Sequence, residues 1–571
     1  MKKYLFILFT ISFVTSCNQL GTTDTSEKND STTDKFQSLP VEASAVPTRD
    51  LTITPANAYN NLFLDSNAVE TYIKNKKLTA NEAAELRNFY NARNFEYAWF
   101  SGDGLTPEVK NFWNAYTYSE LSAQKDDKKN KPLATQMDTL LNKTDSISIS
   151  PTDSSYINSE IAITQKFMVY YRNGNNKQLL SQVPLTQLLP AKKMDPLALA
   201  DSILRQQPDT GSANALRSPY HSLKKQLALY LSQAKQGKWD TIKVKGRLKK
   251  GASSPAVTGI KKRLHLIGHL PVADTTTRFN DTLEMAVKTF QESRGWKADG
   301  VISDAVIKEL NLPLSNRISQ VIINMNRMLW LPSQLPNNYI QVNIPEFLMK
   351  VYEGTNKAFD MKIIAGDEGT NTMMFTGDLN QVVFSPHWNI PESIVKNEIL
   401  PAMKKDPGYL RKHNMEKVGN KDNPPTIRQL PGPGNALGKV KFLFPNSYDI
   451  YLHDTEAKDL FNAKNRAFSH GCIRLADAEK MANYVLRGDS EWTSEKINKA
   501  MHSKKEQFVR VKNPVPVIIT YFTAWVDETG KINFREDVYG HDQKIAEKLF
   551  LTQGKLNNTT KYNNLPTPVK K

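Results

Sequence analysis

Apolar positions along the chain change period twice. From residue 51 to 236 they recur at helical spacing, as in Leu86, Phe89 and Tyr90 with Arg93 alongside, and again in Ile157, Ile161, Thr164 and Met168. This predicts a helical scaffold domain over 51–236, with polar stretches around 124–133 and 142–155 read as exposed loops. Within it, Phe89 to Leu105 places Tyr90, Arg93 and Trp99 beside a Ser101-Gly102-Asp103-Gly104 turn. Core aromatics next to a turn are the plainer reading there; a binding segment is the other. From 246 to 311, one apolar stripe of Val257, Ile260, Leu264 and Ile267 is followed by a second of Leu283, Ala286, Val287 and Phe290. Ser303 then caps a short helix through Leu310, so a small three-helix domain is expected.

Beyond residue 338 the period falls to two. Ile340, Val342 and Ile344 alternate, as do Val440, Phe442 and Phe444, then Ile450 and Leu452. Val515 to Val526, the Asp527-Glu528-Thr529-Gly530 turn and Ile532 to Phe534 read as a hairpin. A β-rich domain is expected over 338–540, and a long insertion at about 386–434, holding Trp388, reads as a lid. Residues 541–571 read as a C-terminal tail. The fold class is multidomain α+β.

The first fifty residues fit none of these periods. Lys2 and Lys3 precede an apolar run, Leu5 to Val14, that is too short to span a bilayer and has the shape of a secretory signal. It ends Val14-Thr15-Ser16-Cys17, which resembles a bacterial lipobox, in which the cysteine is acylated and becomes the new N-terminus. The alternative is an ordinary signal peptide with an incidental cysteine. The lipobox reading makes 1–17 a lipoprotein signal peptide and 18–50, rich in Ser, Thr, Asp and Asn, a disordered tether. The expected location is the periplasmic face of the cell envelope, with lipid on Cys17 anchoring the protein to a membrane.

Composition narrows the function. A formal net charge of +17 is spread along the 571 residues rather than gathered in a stripe, which argues against nucleic acid as a partner. Two cysteines are too few for a disulfide scaffold or a Cys-rich zinc module. If Cys17 is acylated, Cys472 has no partner in the chain, and a lone thiol in an exported protein is either inert or a nucleophile.

Cys472 sits among the right neighbours for the second role. The chain reads Ile450-Tyr451-Leu452-His453-Asp454-Thr455, then Ser469-His470-Gly471-Cys472-Ile473-Arg474. His453 ends a predicted strand and can be folded against Cys472 as a base. Gly471 permits close backbone approach, so amides near Gly471 and Cys472 could serve an oxyanion. Zinc held by His453, His470 and Cys472 is a competing reading, weakened by the unusual spacing and the lack of a fourth ligand. A buried structural cysteine is another. No metal and no cofactor is expected.

His453, fifteen intervening residues and Ser469-His470-Gly471-Cys472 resemble the signature of the L,D-transpeptidases, cysteine enzymes with a YkuD-type catalytic domain that cross-link peptidoglycan. The likeness extends through Arg428-Gln429, Pro431-Gly432-Pro433, Asn435-Ala436-Leu437-Gly438, Val440-Lys441-Phe442 and Phe444-Pro445-Asn446. With the scaffold and lid, it looks like the large, lidded YcbB-type branch. Residues 246–311, through Phe290-Gln291 and Asp299-Gly300-Val301-Ile302, resemble the three-helix peptidoglycan-binding domain; a helical spacer with no ligand is the alternative.

The resemblance implies roles. Cys472 would attack the carbonyl between the third and fourth residues of a stem tetrapeptide, and His453 would move the protons. The main chain of Asp454 would orient His453, while His470 and Gly471 would shape the oxyanion site. Arg474, Ser469, Asn435 and Trp388 would contact substrate, with Ser469 and Arg474 also open to structural roles, and the lid around Trp388 would limit water. The implied activity is an acyltransferase forming 3→3 cross-links between peptidoglycan stems. L,D-carboxypeptidase activity, attachment of proteins to the wall and non-catalytic wall binding remain alternatives.

Overall fold

The computed structural model describes residues 48–551 apart from 120–130, 143–147, 174–182, 206–218, 238, 333–335, 368–373, 420–423 and 470. Cys17, the signal and the tether therefore lie outside the described residues.

Helices begin where the sequence supplies caps. Thr79 and Glu82 form a reciprocal capping box at Ala80–Asn91. Thr106 caps Pro107–Thr117 with proline in its first turn, where no amide hydrogen is needed. Together with Ser66–Lys76, Ser154–Asn173 and Pro219–Lys235 they enclose an aromatic centre. Trp99 lies 5.3 Å from both Phe112 and Phe167, and those two are 5.4 Å apart. Tyr90 and Trp99 are fully buried, so the Phe89 to Leu105 segment is core beside a turn.

Three expectations need correction here. The loop expected around 124–133 ends early, since 131–133 already belong to the helix Lys131–Asn142, whose Leu133, Met137 and Leu140 recur at helical spacing on one side and are buried. The C-terminal segment is no tail at its start: His541–Leu549 is a helix whose Ala546 and Leu549, with Phe550, join the helical core. The expected hairpin is also shorter. Ala524–Val526 pairs with Ile532–Phe534, while Thr520 ends a separate long strand. Phe522, Ala524, Ile532 and Phe534 pack into the helical core, as does the helix Leu314–Met328. The scaffold is thus closed by chain from both sides of the β-rich domain.

Residues 255–310 form three helices, Pro255–Leu266, Asp281–Ser293 and Asp304–Leu310, capped by Ser254, Asn280 and Ser303 around their own apolar cluster.

Among the described residues the main sheet of the β-rich part has nine strands: β1 Asn338–Asn343, β2 Leu348–Glu353, β3 Asn356–Gly366, β4 Phe375–Phe384, β5 Val440–Leu443, β6 Leu452–His453, β7 Ala467–Ser469, β8 Ile473–Leu475 and β9 Gln507–Thr520. Their order is β7-β3-β8-β6-β5-β4-β9-β1-β2, and β2 also pairs with β3, so the sheet closes on itself. Most pairs are antiparallel; β6–β8, β9–β1 and β7–β3 are parallel. The enclosed face carries Val382, Phe442, Leu452, Ile473 and Val517. Ala478–Leu486, capped by Asp477, presses Met481, Ala482 and Val485 into that core.

The insertion between β4 and β5 has structure of its own. Trp388–Asn389, Thr426–Gln429 and Met415–Val418 form a three-stranded sheet over a small cluster of Ile390, Ile394, Val395, Ile399 and Ile427. Its root is pinned by Ser385 Oγ donating to Ala500 O (3.0 Å) and by His387, whose main-chain amide and Nδ1 meet the Glu506 carboxylate at 2.9 and 3.0 Å.

Candidate active site

Strand alternation decides which side chains meet. Lys441 on β5 lies opposite His453 on β6, and His453 lies opposite Arg474 on β8. Residues paired across a ladder share a face, and residues two apart on one strand share it too. Tyr451 and Cys472, two residues before His453 and Arg474, therefore join the same face; the Ile473 amide donates to Tyr451 O at 3.1 Å. The other face, with Phe442, Leu452 and Ile473, is the apolar core. Burying Leu452 and Ile473 thus forces His453 and Cys472 together on the opposite side.

His453 is 4% exposed, and its Nδ1 lies 2.5 Å from Asp454 O. A carbonyl only accepts, so Nδ1 carries the hydrogen and Nε2 keeps its lone pair as a base. Burial, helped by the Arg474 charge, pushes the imidazole down to about 3, so it is neutral near pH 7. Asp454 is fixed in turn: its carboxylate accepts from the Lys439 amide (3.0 Å) and from Lys458 Nζ (2.7 Å). Gly438 permits that approach, since a Cβ there would fall 2.5 Å from Asp454 Oδ2.

Cys472 is half-buried, and its thiol points to Asp449 O at 3.8 Å. Burial pushes the thiol up, and hydrogen bonds from Tyr451 oppose that shift. The Tyr451 phenol is itself held protonated by burial and by the adjacent sulfur, and its ring lies 5.7 Å from His453. Gly471, at φ 109°, adopts a backbone conformation that side chains disfavour. Arg474 is half-buried, with its Nε unpartnered among the described residues.

The remaining candidates divide. Ser469 Oγ donates to Cys472 O at 2.5 Å and is buried, so it fastens the nucleophile's loop instead of meeting substrate. Asn435 is 1% exposed and spends its side chain on Pro386 O, Leu430 O and the Leu437 amide. It braces the root of the insertion, with both amide hydrogens and one acceptor site of its side chain already committed. Trp388 stands half-buried against the lid's apolar cluster. His470 lies outside the described residues. Among the described residues no three His, Cys, Asp or Glu side chains converge as a metal site requires.

Lys441 and Tyr451 had no assigned role from sequence, yet both face the thiol. The signal was present in the alternation about Phe442 and Leu452: neighbours of core strand residues face the other way.

Residues 337–517 match the family model of the L,D-transpeptidase catalytic domain, 84–227 that of the scaffold domain and 253–310 one described as "Putative peptidoglycan binding domain". The chain is 34% identical over 247 residues to a "Putative L,D-transpeptidase" of Haemophilus influenzae, covering 40% of this chain and 50% of that protein. It therefore spans about half the length of the curated relative it matches. Two solved L,D-transpeptidase structures are similar at 12% identity. That of Xylanimonas cellulosilytica has a TM-score of 0.16 and covers 49% of this chain and 99% of its own. That of Stackebrandtia nassauensis has a TM-score of 0.19 and covers 48% and 94%. The chain carries an L,D-transpeptidase catalytic domain, together with a helical scaffold domain and a peptidoglycan-binding-type domain.

Proposed function

We propose that the protein is an L,D-transpeptidase that forms 3→3 cross-links in peptidoglycan through a Cys472 thioester. The observation that carries this reading is the Cys472–His453 pair on the outer face of two parallel strands, with the imidazole neutral and its hydrogen on Nδ1, held by Asp454 O. The thiol leaves Asp449 O and gives its proton to Nε2 as sulfur attacks the carbonyl between the third and fourth stem residues. The tetrahedral oxyanion is met by main-chain amides beside Gly471. Collapse breaks the C–N bond, the leaving D-amino acid takes the proton from His453, and the third residue remains as a thioester. An amine on a second stem then attacks, losing its proton to Nε2, and the thiolate is released and reprotonated. Water as acceptor would instead yield a tripeptide.

The sequence of residues 1–50 supports export and a lipid anchor at Cys17, which places this chemistry at the periplasmic face of the envelope. The described residues hold no helix long and apolar enough to cross a membrane.

The test is incubation of the full chain in detergent with purified disaccharide-tetrapeptides, followed by mass spectrometry, beside Cys472→Ala. A Cys472-dependent dimer lacking one terminal D-amino acid is expected. A Cys472-dependent tripeptide alone would make the protein an L,D-carboxypeptidase. No product from folded protein would leave wall binding as the function.

A further inference from the structure

Two cations flank the nucleophile, and among the described residues neither forms an ion pair. Arg474 stands beside Cys472 with its Nε buried and unpartnered. Lys441 stands on the other side of His453 in the same cross-strand row. It is half-buried, and among the described residues it forms no hydrogen bond through its ammonium and has no carboxylate within 4.0 Å. The ammonium lies 6.0 Å from the centre of the Tyr451 ring. Burial lowers its pKa, and of the charges that oppose this, Glu506 is committed to His387 while the other is Cys472 itself.

A partly desolvated ammonium without a counter-ion is costly, and the cost is relieved when an anion arrives. Neighbouring strands are about 4.8 Å apart, so Lys441 and Arg474, two strands apart with His453 between them, stand roughly 10 Å apart at the backbone. One carboxylate at that span does not serve both cations well. Two carboxylates, one on each side of a carbonyl presented to Cys472, do.

We propose that Lys441 is a second carboxylate-binding residue of this site, which holds one anionic group of the donor stem while Arg474 holds another. The donor stem proposed above presents two such groups when its third residue carries a free carboxylate on its side chain, the other being the terminal carboxylate of the fourth. This rests on the transpeptidase reading above.

The test uses the full chain and three stem tetrapeptides: one with both carboxylates free, one amidated on the third side chain and one amidated at the C-terminus. kcat and KM are measured for the wild type, Lys441→Met and Lys441→Arg. Lys441→Met is expected to raise KM for the free stem at least tenfold with kcat within about threefold. It should also erase the wild type's discrimination against one of the two amidated stems, and which one names the carboxylate that Lys441 holds. Lys441→Arg should restore most of both effects. If Lys441→Met discriminates as the wild type does, loses kcat alone, or is not rescued by arginine, the proposal is overturned while the transpeptidase reading stands. A wild type that turns over none of the three stems overturns both.

Discussion

Two regions of this molecule bury ionisable groups, and only one of them is built for chemistry. In the scaffold, Glu96, Glu108 and Glu160 are all within 5% of full burial around Arg93. Burial lifts Glu96 to about 8 and Glu160 to about 7 and raises Glu108 as well. Yet Glu160 accepts from the Ala98 and Trp99 amides at 2.7 and 3.0 Å, and Glu96 accepts from the Asn60 amide and from Arg93. These carboxyls do the work of a missing strand partner, tying the 96–106 segment to the helix Ser154–Asn173. At Cys472 the groups are shifted by the same desolvation, but the cysteine is only half-buried, the imidazole carries its hydrogen on Nδ1 and, among the described residues, Arg474 Nε is unpartnered. A displaced pKa marks burial in both places. An unsatisfied polar atom does not mark a site alone, since Glu108 Oε2 is another; what marks it is that atom's place beside a half-buried nucleophile.

Substitution should separate the two regions cleanly. Cys472→Ala is expected to cost at least about a thousandfold in turnover while leaving the urea midpoint unchanged. Glu160→Leu should do the reverse, losing roughly 3 kcal/mol of stability because two buried amides lose their acceptor, with turnover per folded molecule retained. If Glu160→Leu abolished turnover in folded protein, the division between the regions would fail. Replacing His453 by alanine should lower kcat about 100- to 10,000-fold, read by single-turnover acylation of Cys472.

The pH dependence sharpens the contrast. Glu96 and Glu160 have folded values above their ordinary 4.5, so the stability they contribute is complete below about 4.5 and is lost as pH rises through 7 to 8. His453 has a folded value below its ordinary 6.5, so its contribution is complete above 6.5 and is lost as pH falls toward 3. Glu96→Gln should therefore flatten the alkaline side of a stability profile by about 1.4 kcal/mol per pH unit at most, and leave the acid side alone. The smallest effect is expected at Asn435. Asn435→Ala should cost about 1 kcal/mol at the lid root, seen as faster amide exchange across 426–438, with the rate of Cys472 alkylation unchanged.

Much of the site was legible because the chemistry is local in sequence. The strand ending at His453, the glycine before Cys472 and the turn between Asp527 and Gly530 each follow from spacing and residue type. The Asp454 carbonyl was assigned to His453 from family likeness, and the structure places it on Nδ1. That Ser469 holds the Cys472 carbonyl and Asn435 the root of the insertion could not be read from sequence, because a polar residue in a motif gives no sign of whether its bonds are already made.

What the sequence determined by itself is the set of periods and the chemistry they carry: helices to 236, three short helices to 311, then alternating strands, with an imidazole at the end of one of them and a thiol further along the chain. Those follow from which residues must be buried along each local element. The tertiary structure alone decided that β6 and β8 are parallel neighbours, which sets Tyr451 beside Cys472 and Lys441 opposite His453. It also decided that Phe534 and Leu549 complete a core that begins at Tyr59. Strand register and long-range packing are settled by the sum of many weak contacts between distant segments, and no window of sequence holds both sides of such a contact.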